Sequence, residues 1–143
     1  MDEMSEEEIW RRPNPSCNSI GNMVLHLCGN ITQYIISSLG GVEDIRQRDL
    51  EFSAQGGFNK IELFSKLEST VTRATEIIST IHPEEMLTKH SVQGFDLSTI
   101  GIIVHVAEHY SYHTGQIVYW TKLLKGKDLA FYANTDLNKQ NRL

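Results

Sequence analysis

A chain of 143 residues, 40% apolar and 22% charged, has the size and balance of one domain able to bury its own core, so residues 1–143 are expected to form a single unit. Its net charge of −5 argues against a nucleic-acid partner or an anionic membrane surface. Two cysteines, Cys17 and Cys28, give no disulfide framework, and with an acidic start unlike a secretory leader they point to a cytoplasmic protein without a membrane span.

Ser5 precedes Glu6-Glu7-Glu8 and is expected to cap a short first helix. Pro13 and Pro15 impose an extended entry, and Asn18 or Ser19 can cap the next helix. Apolar residues at Ile20, Met23, Val24, Leu27, Ile31, Tyr34 and Ile35 predict that helix to run to about Ser38, ended by Gly40-Gly41. From Val42 to Asn59 the pattern dissolves into charge and glycine, which reads as a long surface loop. A second clear helix is expected over Lys60–Ile81, with Leu63, Phe64, Leu67, Val71, Ala74, Ile78 and Ile81 inward and Pro83 as its stop. Met86 to Phe95 is irregular, with an extended piece around Leu87–Val92. Asp96 or Ser98 then caps a last helix that runs to about Lys125 and closes at Gly126. The tail from Lys127 is expected to pack as an irregular strap through Phe131 and Tyr132. No strand alternation of any length stands out, so the expected class is all-α.

The chemistry gathers on the last helix. His105, His109 and His113 succeed one another at intervals of four, which places them on one helical face. Ile102, Val106, Ile117, Trp120 and Leu124 recur at helical spacing, and His109 and His113 fall inside that apolar stripe, with His105 and Gln116 on its flank. A buried imidazole needs a partner, since an unpaired buried polar group costs about 1–3 kcal/mol. Two explanations remain open from spacing alone: a metal ion held by His109 and His113, or a polar layer in which Tyr110, Tyr112 and Gln116 bond the rings. A third metal ligand would come from His26, His82, His90 or His105. His26, inside a helix beside its apolar stripe, is the best placed. Gly115 inside the helix costs about 1 kcal/mol against alanine, which suggests close packing or a cavity there. No phosphate loop, nucleophile elbow or paired core carboxylates occur.

Asn18-Ser19-Ile20 leading to His26-Leu27-Cys28-Gly29-Asn30, Arg48-Asp49-Leu50-Glu51-Phe52, and His105-x3-His109-x3-His113-Thr114-Gly115-Gln116-Ile117 together resemble the DinB/YfiT-like superfamily, nearest to a bacterial subgroup without an assigned function. The likeness spans roughly residues 8–126. It implies a four-helix bundle with long crossover connections, often a homodimer, holding a divalent metal, commonly nickel or zinc. Position by position, His26, His109 and His113 match the metal ligands, and His105, Tyr112 and Gln116 become candidates for the surrounding pocket. Relatives usually begin with a further long helix, here expected to be short or missing, which would bare an apolar flank and favour contact with a partner chain. The resemblance further implies a transferase that activates a low-molecular-weight thiol toward electrophiles. Metal-assisted hydrolysis and a non-catalytic dimeric metal-binding or stress-response protein are the alternatives.

Overall fold

Three helices start at reciprocal capping boxes written in the sequence: Ser5 with Glu8, Ser19 with Asn22, and Asn59 with Glu62. The structure, a computed structural model, describes residues 3–141. Met1, Asp2, Arg142 and Leu143, the two ends of the expected single unit, lie outside the described residues. In order the elements are α1 (Glu6–Trp10), α2 (Ile20–Ile31) prolonged by a π-helical segment (Thr32–Ser37), α3 (Arg48–Ser53), α4 (Lys60–Ser79), a 3-10 turn (Pro83–Glu85), strands β1 (Lys89–Val92) and β2 (Phe95–Ser98), and α5 (Thr99–Lys125). Ser98 caps α5, whose far end closes at Gly126 in the left-handed conformation (φ 59°). The fold is an all-α bundle in which α1 is short, as expected.

The middle of the bundle is α2, where every residue except Gly29 is buried. One core cluster joins Ile9, Ile20, Met23 and Val24 to Leu63 of α4, with Ile117, Trp120 and Leu124 of α5 packed around it. A second joins Ile31, Tyr34 and Ile35 to Ala74 of α4, Val92 of β1 and Ile102 of α5. Burying each such aliphatic side chain stabilises the fold by about 1.5–3 kcal/mol before conformational entropy is set against it. Between α4 and α5 an apolar groove of about 360 Å3 stays open, lined by residues such as Val71, Ile78, Ile103 and Val106. Among the described residues, no helix is long and apolar enough to cross a membrane.

Several expectations are corrected. The long 42–59 crossing carries a helical turn and a half, α3, pinned to α2 where Asn22 Nδ2 donates to the carbonyls of Glu51 (2.9 Å) and Ala54 (2.8 Å). The extended piece expected around Leu87–Val92 is β1, but it is one strand of an antiparallel hairpin in which Lys89 pairs with Ser98 and Val92 with Phe95. Its two-residue turn, Gln93-Gly94, takes positive φ at both positions (52° and 82°), the geometry that matches strand twist. Four-residue strands are too short to show alternation. Phe64 is 51% exposed, because the packed stripe of α4 runs through Leu63, Leu67 and Ala74 and Phe64 lies one step round from Leu63. The tail does not pack as a strap: Phe131 and Tyr132 are 64% and 65% exposed.

Candidate metal centre

Two helices bring the histidines together. His26 stands midway along α2, and His105, His109 and His113 succeed one another along α5. One ring nitrogen from each of His26, His109 and His113 lies within 4.8 Å of the others, a group that could hold a metal ion. Ring centroids are 4.9 Å apart for His26 and His109, 5.1 Å for His26 and His113, and 4.6 Å for His109 and His113. His26 and His113 are buried and His109 is half-buried. His82 is exposed at its helix end, and His90 sits on β1, where Nε2 meets Thr99 Oγ1 at 2.9 Å. Neither joins the group.

The hydrogen bonds around the rings fix their tautomers. His26 Nδ1 lies 2.8 Å from Glu51 Oε2, and an ionised carboxylate only accepts, so Nδ1 carries a proton, and in the neutral form of the ring Nε2 keeps its lone pair. Arg46 Nη2 is also near Nδ1, at 3.2 Å, but as a donor it cannot bond to an N–H. His113 Nδ1 likewise donates to Gln116 Oε1 at 2.7 Å when the amide presents its oxygen there, as Gln116 Nε2 donating to Tyr112 Oη at 3.0 Å requires. Nε2 of His113 is therefore free as well. His109 Nε2 is 2.9 Å from His26 Nε2, and with His26 as the neutral Nδ1–H tautomer it is His109 that donates in that contact. Burial, helped by the neighbouring His113, His26 and His105 rings, pushes the His109 pKa down to about 4. Burial likewise lowers His113. Rings kept neutral in this way are what a metal requires of imidazole ligands. The donor set fits a borderline divalent cation, for which His nitrogens are the ordinary ligands. A cation there would take the place of the proton between His26 and His109.

In the sequence Glu51 stands in the Arg48-Asp49-Leu50-Glu51-Phe52 stretch of the resemblance, with no role assigned to it. The structure buries it, with Arg46 Nε donating to Oε1 at 2.7 Å and Nη2 to Oε2 at 2.9 Å. Burial works against its ionisation, yet the bonds from Arg46 and His26 hold the carboxyl below its ordinary range. His105 stays outside the ligand group, stacked between Tyr34 (4.4 Å) and His109 (5.7 Å), with its buried Nε2 unpartnered among the described residues. It lines a cleft of about 480 Å3 beside the centre together with His26, His109, Asn30, Tyr34, Arg46, Arg48, Gln93 and Phe95. Tyr112 is mostly exposed and packs edge-on against His113 at 5.0 Å. Gly115 meets neither of its expected roles: a Cβ placed on it would touch nothing within 4 Å.

A family model described as "Protein of unknown function (DUF1572)" matches residues 1–134 of the chain. No curated protein matches it. Among solved structures, a DinB-like protein from Bacillus subtilis, YjoA, is similar at 13% identity, covering 92% of this chain and 85% of its own, with a TM-score of 0.67. At that identity the likeness establishes a shared DinB-like fold.

Proposed function

The chain belongs to the DUF1572 family and has a DinB-like fold, and from that premise we propose that it binds a divalent metal, nickel or zinc, through His26, His109 and His113 and uses it to transfer a low-molecular-weight thiol to an electrophile. The observation that carries the reading is the convergence of three imidazoles from two helices beside an accessible cleft. A metal bound there supplies Lewis acidity, which favours the thiolate over the thiol. His105, Tyr34 and Asn30 line the space where the electrophile would sit, and Arg48, stacked 4.7 Å from the Phe52 ring, adds positive charge at the rim. Balanced, the reaction sends the thiol proton to solvent, joins sulfur to carbon, and lets the leaving group depart with the electron pair of its former bond.

Thiol transfer is favoured over hydrolysis by the state of Glu51. It is the carboxylate bonded to the cluster, and His26 and Arg46 already occupy it, so it is not free to deprotonate an attacking water. A thiol ionised on binding needs no such base. A homodimer, seated on the open apolar groove, is part of the same proposal. The test is elemental analysis of protein purified without chelators, then thiol-consumption assays with electrophiles and ester and amide hydrolysis assays. One equivalent of metal and thiol loss dependent on it support the reading. Hydrolysis alone would replace it with the hydrolase, and metal without turnover with a binding protein.

A further inference from the structure

We propose that Glu51 is the positioning residue of the histidine cluster: seated on Gly29 and clamped by Arg46, it holds the His26 ring in the tautomer and orientation that present Nε2 to His109 and His113. Where it concerns metal affinity, this rests on the metal-binding reading above; where it concerns the ring of His26, it stands on the geometry alone.

Three observations converge on it. First, Gly29 has no side chain because Glu51 occupies that space: a Cβ on Gly29 would lie 1.9 Å from Glu51 Oε1 and 2.9 Å from Arg46 Nε. A glycine inside a helix gives up helix propensity relative to alanine, and here the vacated volume admits one particular carboxylate. Second, the ion pair is buried, with side-chain exposure of 5% for Arg46 and 10% for Glu51. Buried pairs are poor stabilisers, since apolar replacements of similar shape are often as stable or more so; a pair kept at such a position points to a role other than stability. Third, the clamp extends outward: Arg46 Nη1 donates to Gln33 Oε1 at 2.8 Å, and Gln33 Nε2 donates to Asp44 Oδ2 at 2.7 Å. Each carboxylate oxygen of Glu51 is committed, so Glu51 orients the ring and does not itself turn in as a ligand. Carboxylates that accept the far N–H of a metal-bound imidazole typically contribute 10–100-fold in metal affinity.

The experiment has two arms on the same proteins: wild type, Glu51→Ala, Glu51→Gln and Gly29→Ala. In metal-free protein, long-range 15N–1H correlation spectra read the tautomer of His26. The wild type should show Nδ1–H alone, whereas Glu51→Ala and Gly29→Ala should show a mixture of both tautomers. Zinc affinity, measured by chelator competition on folded protein, should fall on the order of 10–100-fold in those two variants. It should fall less in Glu51→Gln, whose amide oxygen still accepts from Nδ1. A merely structural role would lower the melting temperature and leave both readouts unchanged, which overturns the proposal. Wild-type His26 showing Nε2–H overturns it too, whether or not any variant folds. If wild type binds no zinc, the metal-binding reading fails, and the His26 spectrum still decides the role of Glu51.

Discussion

The two opposite faces of α2 and its π-helical extension both pack against the rest of the chain and are built on different terms. With about 100° of turn per residue, Ile20, Val24, Leu27 and Ile31 share one side, and Asn22, His26, Gly29 and Gln33 share the other. Ile20 and Val24 share a core cluster with Leu63 of α4, and Ile31 shares one with Ala74 of α4 and Ile102 of α5, packing that any side chain of suitable size and shape could provide. On the polar side every residue has a particular correspondent in the 42–54 crossing: Asn22 takes the carbonyls of Glu51 and Ala54, His26 and Gly29 take the Glu51 side chain, and Gln33 takes Arg46 and Asp44. The apolar face makes the bundle hold, and the polar face makes the crossing and α5 meet at one point. Stability and site should therefore fail separately.

The largest separation is expected at the ligands. His26→Ala or His109→Ala should abolish metal retention through gel filtration, read by elemental analysis, while His82→Ala and His90→Ala leave it intact. Metal loss from the His82 variant would move the third ligand away from His26. On the opposite face, Leu27→Ala should cost about 2–5 kcal/mol of unfolding free energy in denaturant titrations, by lost transfer energy and the cavity left behind. Leu27 is 1% exposed, so little relaxation can refill the space. Its folded fraction should still bind metal as wild type does. If Leu27→Ala weakened metal binding as strongly as His26→Ala, the two faces would be one cooperative unit and the contrast would collapse.

Legibility in the sequence divides along the same two faces. The apolar stripes of α2 and α5 were legible because a period of 3.6 repeats often enough to be seen, and His26, His109 and His113 could be placed against them. Glu51 was not legible as a partner: it lies 25 residues from His26 among Glu43, Asp44 and Asp49, and the Arg48–Phe52 stretch that carries the resemblance does not say which of its acids turns inward. Its signal was at the other end of the contact, in Gly29. A helical glycine does mark a close approach in this protein, but at Gly29 and not at Gly115, which faces open space. A glycine needs a burial context before it says anything, and Gly29 already had one, inside a helix whose other positions are nearly all core. The 89–98 hairpin was legible by half: the extended piece expected around Leu87–Val92 covers β1, while β2 is shorter than the pattern needed to recognise it.

The smallest expected effect separates the faces by pH. In metal-free protein His109 has a pKa of about 4, and in the unfolded chain it returns to an ordinary value near 6.5. Between those values the unfolded state binds the proton and the folded state does not, so stability should fall as pH drops from 6.5 toward 4 and be unaffected by this group above 6.5. His113, lowered by its burial, acts with the same sign. Glu8, held near 2 by Lys125, and Glu51 also lose stability on acidification, but they begin only as their unfolded carboxyls titrate near 4.5. The upper interval, from pH 6.5 to about 5.5, therefore reports the histidines with little contribution from those carboxylates. Melting temperatures taken there in chelator should decline with falling pH in the wild type, and more gently in His109→Gln, which keeps a polar group but has no proton to gain. Leu27→Ala should start lower and run parallel to the wild type, because the apolar face carries no titratable group. Parallel curves for the wild type and His109→Gln would mean that His109 titrates alike in the folded and unfolded chain, so that burial in the cluster does not hold the ring neutral.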